Sequence, residues 1–225
     1  MTVWAAASLS SGCGGHAVQS ETAHTITPGV GIRGRLEMGM SLGDVKRHFR
    51  GVECELDRED RVVRVTIRAL GFLGMYSEEN GRFTQMFFLV RRVPGDDADP
   101  SAKMGRFTGD LDGGISFFKG DVRREDVIAT FGEPVQIVAR AGDTDEAFRE
   151  YHAAMGKAWH DGRPFECSTS GGTSILYYPR DGIAFVIERS NIEEIRVFSP
   201  DNSSSDTNRL VSPAIIVTNQ GQPLK

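Results

Sequence analysis

Apolar positions recur along this chain with two periods. The helical period appears in three places. Leu42, Val45 and Phe49 make one stripe after Ser41-Leu42-Gly43-Asp44, where a serine can cap a free backbone N–H and an aspartate suits the first turn. Val127, Ile128 and Phe131 make a second; Asp121 is the expected cap, with Gly132 in the left-handed stop position and Pro134 beyond it. Phe148, Tyr151, Met155 and Trp159 make a third, after the start signal Asp143-Thr144-Asp145-Glu146. Aromatic residues at that spacing are expected to pack into a core.

The two-residue period marks strands. Ile32, Gly34, Leu36 and Met38 alternate with Arg33, Arg35 and Glu37. Val52 to Leu56 and Arg61 to Ala69 read as a hairpin, with Val63, Val65 and Ile67 on one face and a charged turn, Asp57-Arg58-Glu59-Asp60. Phe83 to Val93 is the most apolar run and fits a strand buried on both faces. Val135 to Ala139 reads as a strand, and Ser174–Tyr178, Ile183–Glu188 and Ile192–Phe198 as three more, joined by tight turns. Gly71 to Gly81 reads as a loop, and Asp161 to Thr173 as a Gly/Ser-rich loop.

These elements predict an α+β protein of two related helix-on-antiparallel-sheet units, the second carrying an inserted helix. The stretch Ile115 to Pro134 organises the second unit. A shift of 82 residues places Val45 on Val127 and Phe49 on Phe131, so the first helix reads as an echo of the second. The expected division is 1–29 as anchor and tether, 30–93 as the first unit and 94–113 as a Pro-, Gly- and Asp-rich linker. Residues 114–200 form the second unit and 201–225 a polar tail.

Composition narrows the function. The chain has 225 residues and a net charge of −5, with both signs interleaved, which argues against a nucleic-acid surface. No apolar run reaches the ~20 residues of a membrane span. Asp96, Asp97, Asp99, Asp110 and Asp112 lack the spacing of an EF-hand loop, so no metal and no cofactor is expected. His16 and His24 read as solvated.

Cys167 is near His152 and His160 in sequence, and a Cys–His pair can make a reactive thiolate. No nucleophile-elbow pattern accompanies it, and the histidines are eight apart. No catalytic residue is assigned, and a hydrolase built on Cys167 is the least favoured reading. Cys54 and Cys167 are an even pair that could form a disulfide or stay as free thiols.

Leu9-Ser10-Ser11-Gly12-Cys13 resembles the back half of a bacterial lipoprotein signal peptide, and implies lipidation at Cys13; a charged leader and a full apolar core are absent before it. Gly120-Asp121, Val127, Phe131-Gly132, Pro134, Leu176-Tyr177 and Gly182-Ile183-Ala184-Phe185 resemble the SmpA/OmlA-type outer-membrane lipoproteins and the related fold of beta-lactamase-inhibitor proteins. That resemblance covers roughly 115–198 and implies an exported binding or scaffolding module with no catalytic residue. The expectation is therefore a cell-envelope lipoprotein, on the membrane by its anchor only, that binds another protein. The exposed sheet face would be its contact surface, and Lys119, Arg123, Arg124 and Arg180 its first polar contacts. A cytoplasmic inhibitor or immunity-type protein is the alternative.

Overall fold

The computed structural model describes residues 24–57, 62–90, 104–138, 145–168 and 172–200. The chain opens with three short strands, β1 (Thr25–Thr27), β2 (Gly31–Ile32) and β3 (Leu36–Glu37). Helix α1 (Leu42–His48) follows, with Ser41 accepting the Asp44 N–H as its cap. A meander comes next: β4 (Val52–Asp57), β5 (Val62–Ile67), β6 (Phe72–Ser77) and β7 (Arg82–Leu89). The second half repeats that order with an insertion. β8 (Asp110–Leu111) and β9 (Ile115–Ser116) precede α2 (Arg124–Phe131) and β10 (Val135–Val138). Helix α3 (Asp145–His160) then leads to β11 (Phe165–Ser168), β12 (Thr173–Tyr178), β13 (Ile183–Glu188) and β14 (Asn191–Phe198).

These strands do not make two helix-on-sheet units, and that expectation is corrected. Among the described residues about twice as many lie in strands as in helices. Nine strands form one continuous sheet, β10-β11-β12-β13-β14-β7-β6-β5-β4, and five short ones form a second, β3-β2-β1-β8-β9. The halves fuse because β14 pairs with β7 as Gln85↔Phe198, Met86↔Val197 and Phe88↔Ile195. In the small sheet β1 runs parallel to β8, so the first half and the second share both sheets. The segment expected as a linker is built in where it is described: Phe107 is buried, and its N–H bonds the Leu89 carbonyl.

One core lies between the inner face of the large sheet and a layer made of the small sheet, α1 and α2. Val45 of α1 and Val127 of α2 are both fully buried in it, and Phe49 and Phe131 both pack against it, so the residues matched by the 82-residue shift occupy like positions. Phe72, Phe88, Phe107 and Phe117 run through it as successive ring contacts of 5.3, 5.4 and 6.2 Å. A second core lies on the outer face, where Met155, Tyr151 and Trp159 of α3 meet Phe165, Cys167, Tyr177 and Phe198. The stripe on α3 is thus core packing. Phe148 carries no described side chain.

Several boundaries differ from expectation for local reasons. Asp121 does not cap α2, because Val122 accepts the Ile192 N–H and Arg123 bridges Asn191; the helix starts after that pairing, with the Asp126 carboxylate accepting the Arg123 N–H at 2.8 Å. Gly132 has a positive φ of 95° with ψ at 167°, an extended glycine-only conformation in place of the left-handed helix stop. The Gly71 to Gly81 stretch is no loop but contains β6. Its Gly74 faces the core, where a Cβ would stand 2.6 Å from Phe72 Cζ and 2.7 Å from Phe83 Cε1. The glycine is there to let two rings close over the strand.

Both edges of the large sheet are partly bare. Leu56 on β4 and Val135 and Val138 on β10 are exposed. Gly74→Ala is expected to cost about 1–3 kcal/mol by forcing those rings apart, read as a lower urea midpoint with the slope unchanged.

Candidate functional site

Strand alternation sorts the meander's side chains. Val63, Val65, Ile67, Phe72 and Tyr76 face the inner core. The register then puts Glu53, Glu55, Arg64, Thr66, Leu73, Met75, Gln85 and Phe87 on the opposite, outer face. None of those belongs to either core. Helix α3 covers the outer face from β10 as far as Phe198 on β14, so from β7 to β4 that face has no cover among the described elements. Leu73 and Met75 are half-buried at its centre, and charges frame them. Arg64 lies 3.9 Å from Glu55. Arg196 pairs with Glu194 at 2.6 Å and stands 5.6 Å over the Phe87 ring, which joins a cation to an aromatic face. Leu73 and Met75 are not legible as surface residues from sequence, because the glycines of 71–81 point to a loop where β6 forms.

The cations expected to contact a partner are not gathered into one patch. Lys119 and Arg123 are exposed on the side of the sheet that carries α2. Arg123 sits at the start of β14, whereas Arg180 lies in the turn before β13 and donates to the Asp161 carbonyl at 3.2 Å. The six-residue β13 separates those two turns, roughly 17 Å at strand rise.

Arg124, part-exposed, is engaged within the fold. It pairs with Glu166 of β11, NH2 to Oε2 at 2.6 Å and Nε at 3.1 and 3.2 Å. Ser174 donates to Glu166 Oε1 at 2.7 Å, and Gln136 donates to Oε2. Glu166 and Thr27 are the buried polar side chains of the described residues. Burial acts to raise the Glu166 pKa, but the bonds from Arg124, Ser174 and Gln136 and the Arg124 charge outweigh it and hold the carboxyl below its ordinary value. This network ties α2 to β10, β11 and β12, and it is structural. Its signal was absent from the sequence because the partners are 42, 30 and 8 residues apart.

Cys167 is a poor nucleophile. Burial pushes its thiol up to about 11; Tyr151 hydrogen-bonds it and opposes that shift, and the Glu166 charge reinforces it. A reactive cysteine needs the opposite environment. Cys54 and Cys167 are both free, and the disulfide reading is corrected. They lie on β4 and β11, seven strand spacings apart, roughly 33 Å of sheet against the ~6 Å between Cα atoms that a bridge allows. Among the described residues no three His, Cys, Asp or Glu side chains converge as metal ligands would, and no helix is long and apolar enough to cross a membrane. Cys13 lies outside the described residues, as do Asp96, Asp97 and Asp99. Comparison with family models, with characterised proteins and with solved structures gives no match.

Two outcomes follow from these side chains. Arg124→Ala leaves a buried carboxylate without its cation and is expected to cost about 2–3 kcal/mol near neutral pH, the low end because Arg124 is part-exposed. In the native chain the depressed Glu166 pKa contributes stability above the ordinary carboxylate range, and that contribution is lost as pH falls through the folded value. In the variant burial dominates and the carboxyl takes up a proton sooner. The gap between the two urea midpoints therefore narrows as pH falls through the carboxylate range, from the variant's pKa down to the depressed native one. Under native conditions iodoacetamide is expected to label exposed Cys54 and spare Cys167 until the chain unfolds, as read by peptide mass mapping.

Proposed function

We propose that this chain is a non-enzymatic module that binds another protein through the uncovered outer face of its large sheet. The observation that carries this is the uneven cover of that sheet. Its inner face is covered by α1, α2 and the small sheet except at the two edge strands, and its outer face is covered only by α3. The remainder presents Leu73 and Met75 between Arg64, Glu55, Arg196 and Glu194. Apolar centres with a charged rim suit a protein partner better than a small ligand. The high thiol pKa of Cys167 argues against the hydrolase alternative.

The second half of the proposal is location. A lipid on Cys13, followed by the small, polar stretch 14–23 that leads into β1, would hold the module at the bacterial cell envelope. The resemblance of residues 115–198 to SmpA/OmlA-type lipoproteins and beta-lactamase-inhibitor proteins supports both halves. The cytoplasmic inhibitor or immunity-type reading keeps the same surface and changes only the compartment; two unbonded cysteines suit a reducing compartment as well.

The test pairs surface with anchor. The full chain is crosslinked in its source cells, and the partner recovered with it is identified by mass. Leu73→Glu with Met75→Glu is expected to abolish that crosslink while circular dichroism is unchanged, and Arg123→Glu, on the α2 side, is expected to keep it. A partner lost with Arg123→Glu and kept by the double variant would overturn the surface. Cys13→Ala is expected to move the protein from the membrane fraction to the soluble one; unchanged fractionation would remove the anchor and leave the cytoplasmic alternative.

A further inference from the structure

The small sheet carries a cleft of about 570 Å³. Its lining includes His24, Thr25, Thr27, Arg33, Arg35 and Asp112. Both arginines come from the turn between β2 and β3, where Gly34, with φ at 70°, lets the chain reverse between them. The Glu37 carboxylate accepts the Gly34 N–H and so holds the turn closed. Each guanidinium is fixed at one point. Arg33 Nε donates to Thr27 Oγ1 at 3.2 Å, and Thr27 is itself buried. Arg35 lies 3.3 Å from His24 Nδ1 and 5.3 Å over the Phe49 ring. His24, expected to be solvated, is half-buried and tilted against that same ring at 6.0 Å.

Several arginines of the fold are held by a carboxylate. Arg47, Arg64, Arg68, Arg124 and Arg196 are each paired with a carboxylate. Among the described residues neither Arg33 nor Arg35 has one; Asp112 lines the cleft without coming within ion-pair distance of either, and Glu37 bonds backbone. Two cations that line one cleft with no carboxylate paired to either among the described residues favour an anion in that cleft. Arg–oxyanion pairs are also among the stronger hydrogen bonds.

We propose that this cleft binds a phosphate monoester of a small hydroxylated molecule. The donor set decides for phosphate over carboxylate. Two guanidiniums retain N–H groups beyond those already used, and the Thr27 hydroxyl accepts from Arg33 and keeps its own proton to donate; Thr25 adds a second hydroxyl. That is more than the two oxygens of one carboxylate take up, and it fits the three terminal oxygens and the charge near −2 of a phosphoryl group. Asp112 opposes an anion but accepts from a hydroxyl, which places the organic part of the ester toward it. The volume is in the ~300–1,000 Å³ range of small-molecule sites and exceeds what inorganic phosphate fills. Thr27, the turn and Phe49 hold the two arginines before any ligand arrives, so little ordering is left to be done on binding.

The experiment is calorimetric titration of the full chain with glycerol 3-phosphate, with inorganic phosphate and with glycerate, at constant ionic strength. Glycerol 3-phosphate is expected to bind at millimolar concentration or below and more tightly than either of the others. Arg33→Gln and Arg35→Gln are each expected to weaken it about tenfold, one charge-assisted hydrogen bond's worth, and Arg123→Gln is expected to leave it unchanged. Arg33 is exposed, so its variant keeps the fold even if Arg35→Gln does not. Asp112→Asn is expected to narrow the advantage of glycerol 3-phosphate over inorganic phosphate. Absence of heat with glycerol 3-phosphate, equal affinity for glycerate, equal affinity for inorganic phosphate, or a loss no greater in Arg33→Gln than in Arg123→Gln would each overturn the proposal. None of these outcomes bears on the sheet-face partner, which is read separately by crosslinking.

Discussion

The pairing of β7 with β14 is the constraint on which the molecule rests. It joins strands more than a hundred residues apart and turns two meanders into one sheet. Its register decides which side chains face which layer. Met86, Phe88, Ile195 and Val197 enter the inner core, and Phe87 and Arg196 stand on the outer face. A slip of one residue would send every one of them to the wrong side. Both strands are flanked by neighbours on either side, so no edge remains to absorb such an error. The fully buried inner residues on both strands make the alternatives costly, and that cost is what specifies the fold.

The outer face follows from how the chain gets from β10 to β11. Those strands are parallel neighbours, and a parallel pair needs a crossover that a tight turn cannot supply. Helix α3 is that crossover. It is the only described helix on the outer side, and its apolar stripe covers the strands beside it and reaches Phe198 on β14. The first half has no equivalent: β4 follows α1 directly and pairs antiparallel with β5. One half of the sheet is therefore covered on two faces and the other on one. The asymmetry comes from the inserted helix, and it leaves Leu73 and Met75 in the open part.

What could be read beforehand was what depends on near neighbours. The Ser41 cap, the α1 stripe, the β4–β5 hairpin, the strand β7 with its buried inner face and the last three strands all declare themselves within a few residues; the expected burial of β7 on both faces does not hold at Gln85. The elements that were missed are those whose reasons are distant. β6 was hidden because Gly74 stands at a core position, and only the Phe72 and Phe83 rings explain why no side chain is there. β11 was hidden in a Gly/Ser-rich stretch because its buried Glu166 looks solvated until Arg124 is placed beside it. The Arg124 pairing is equally invisible locally, because Glu166 lies 42 residues away. The two units failed as a description because local pattern sets strands and helices but carries no record of which strand edges meet.

The late arrival of β14 has a consequence during synthesis. Translation delivers β4 to β7 first, and β7 then has β6 on one side and nothing on the other. Its Met86 and Phe88, which end fully buried, remain beside an open backbone edge until the ribosome has passed residue 198 and released it from the exit tunnel. An open apolar edge of that kind invites pairing between nascent chains. A holding chaperone that engages the growing polypeptide over that interval would protect β7 until its own partner strand arrives.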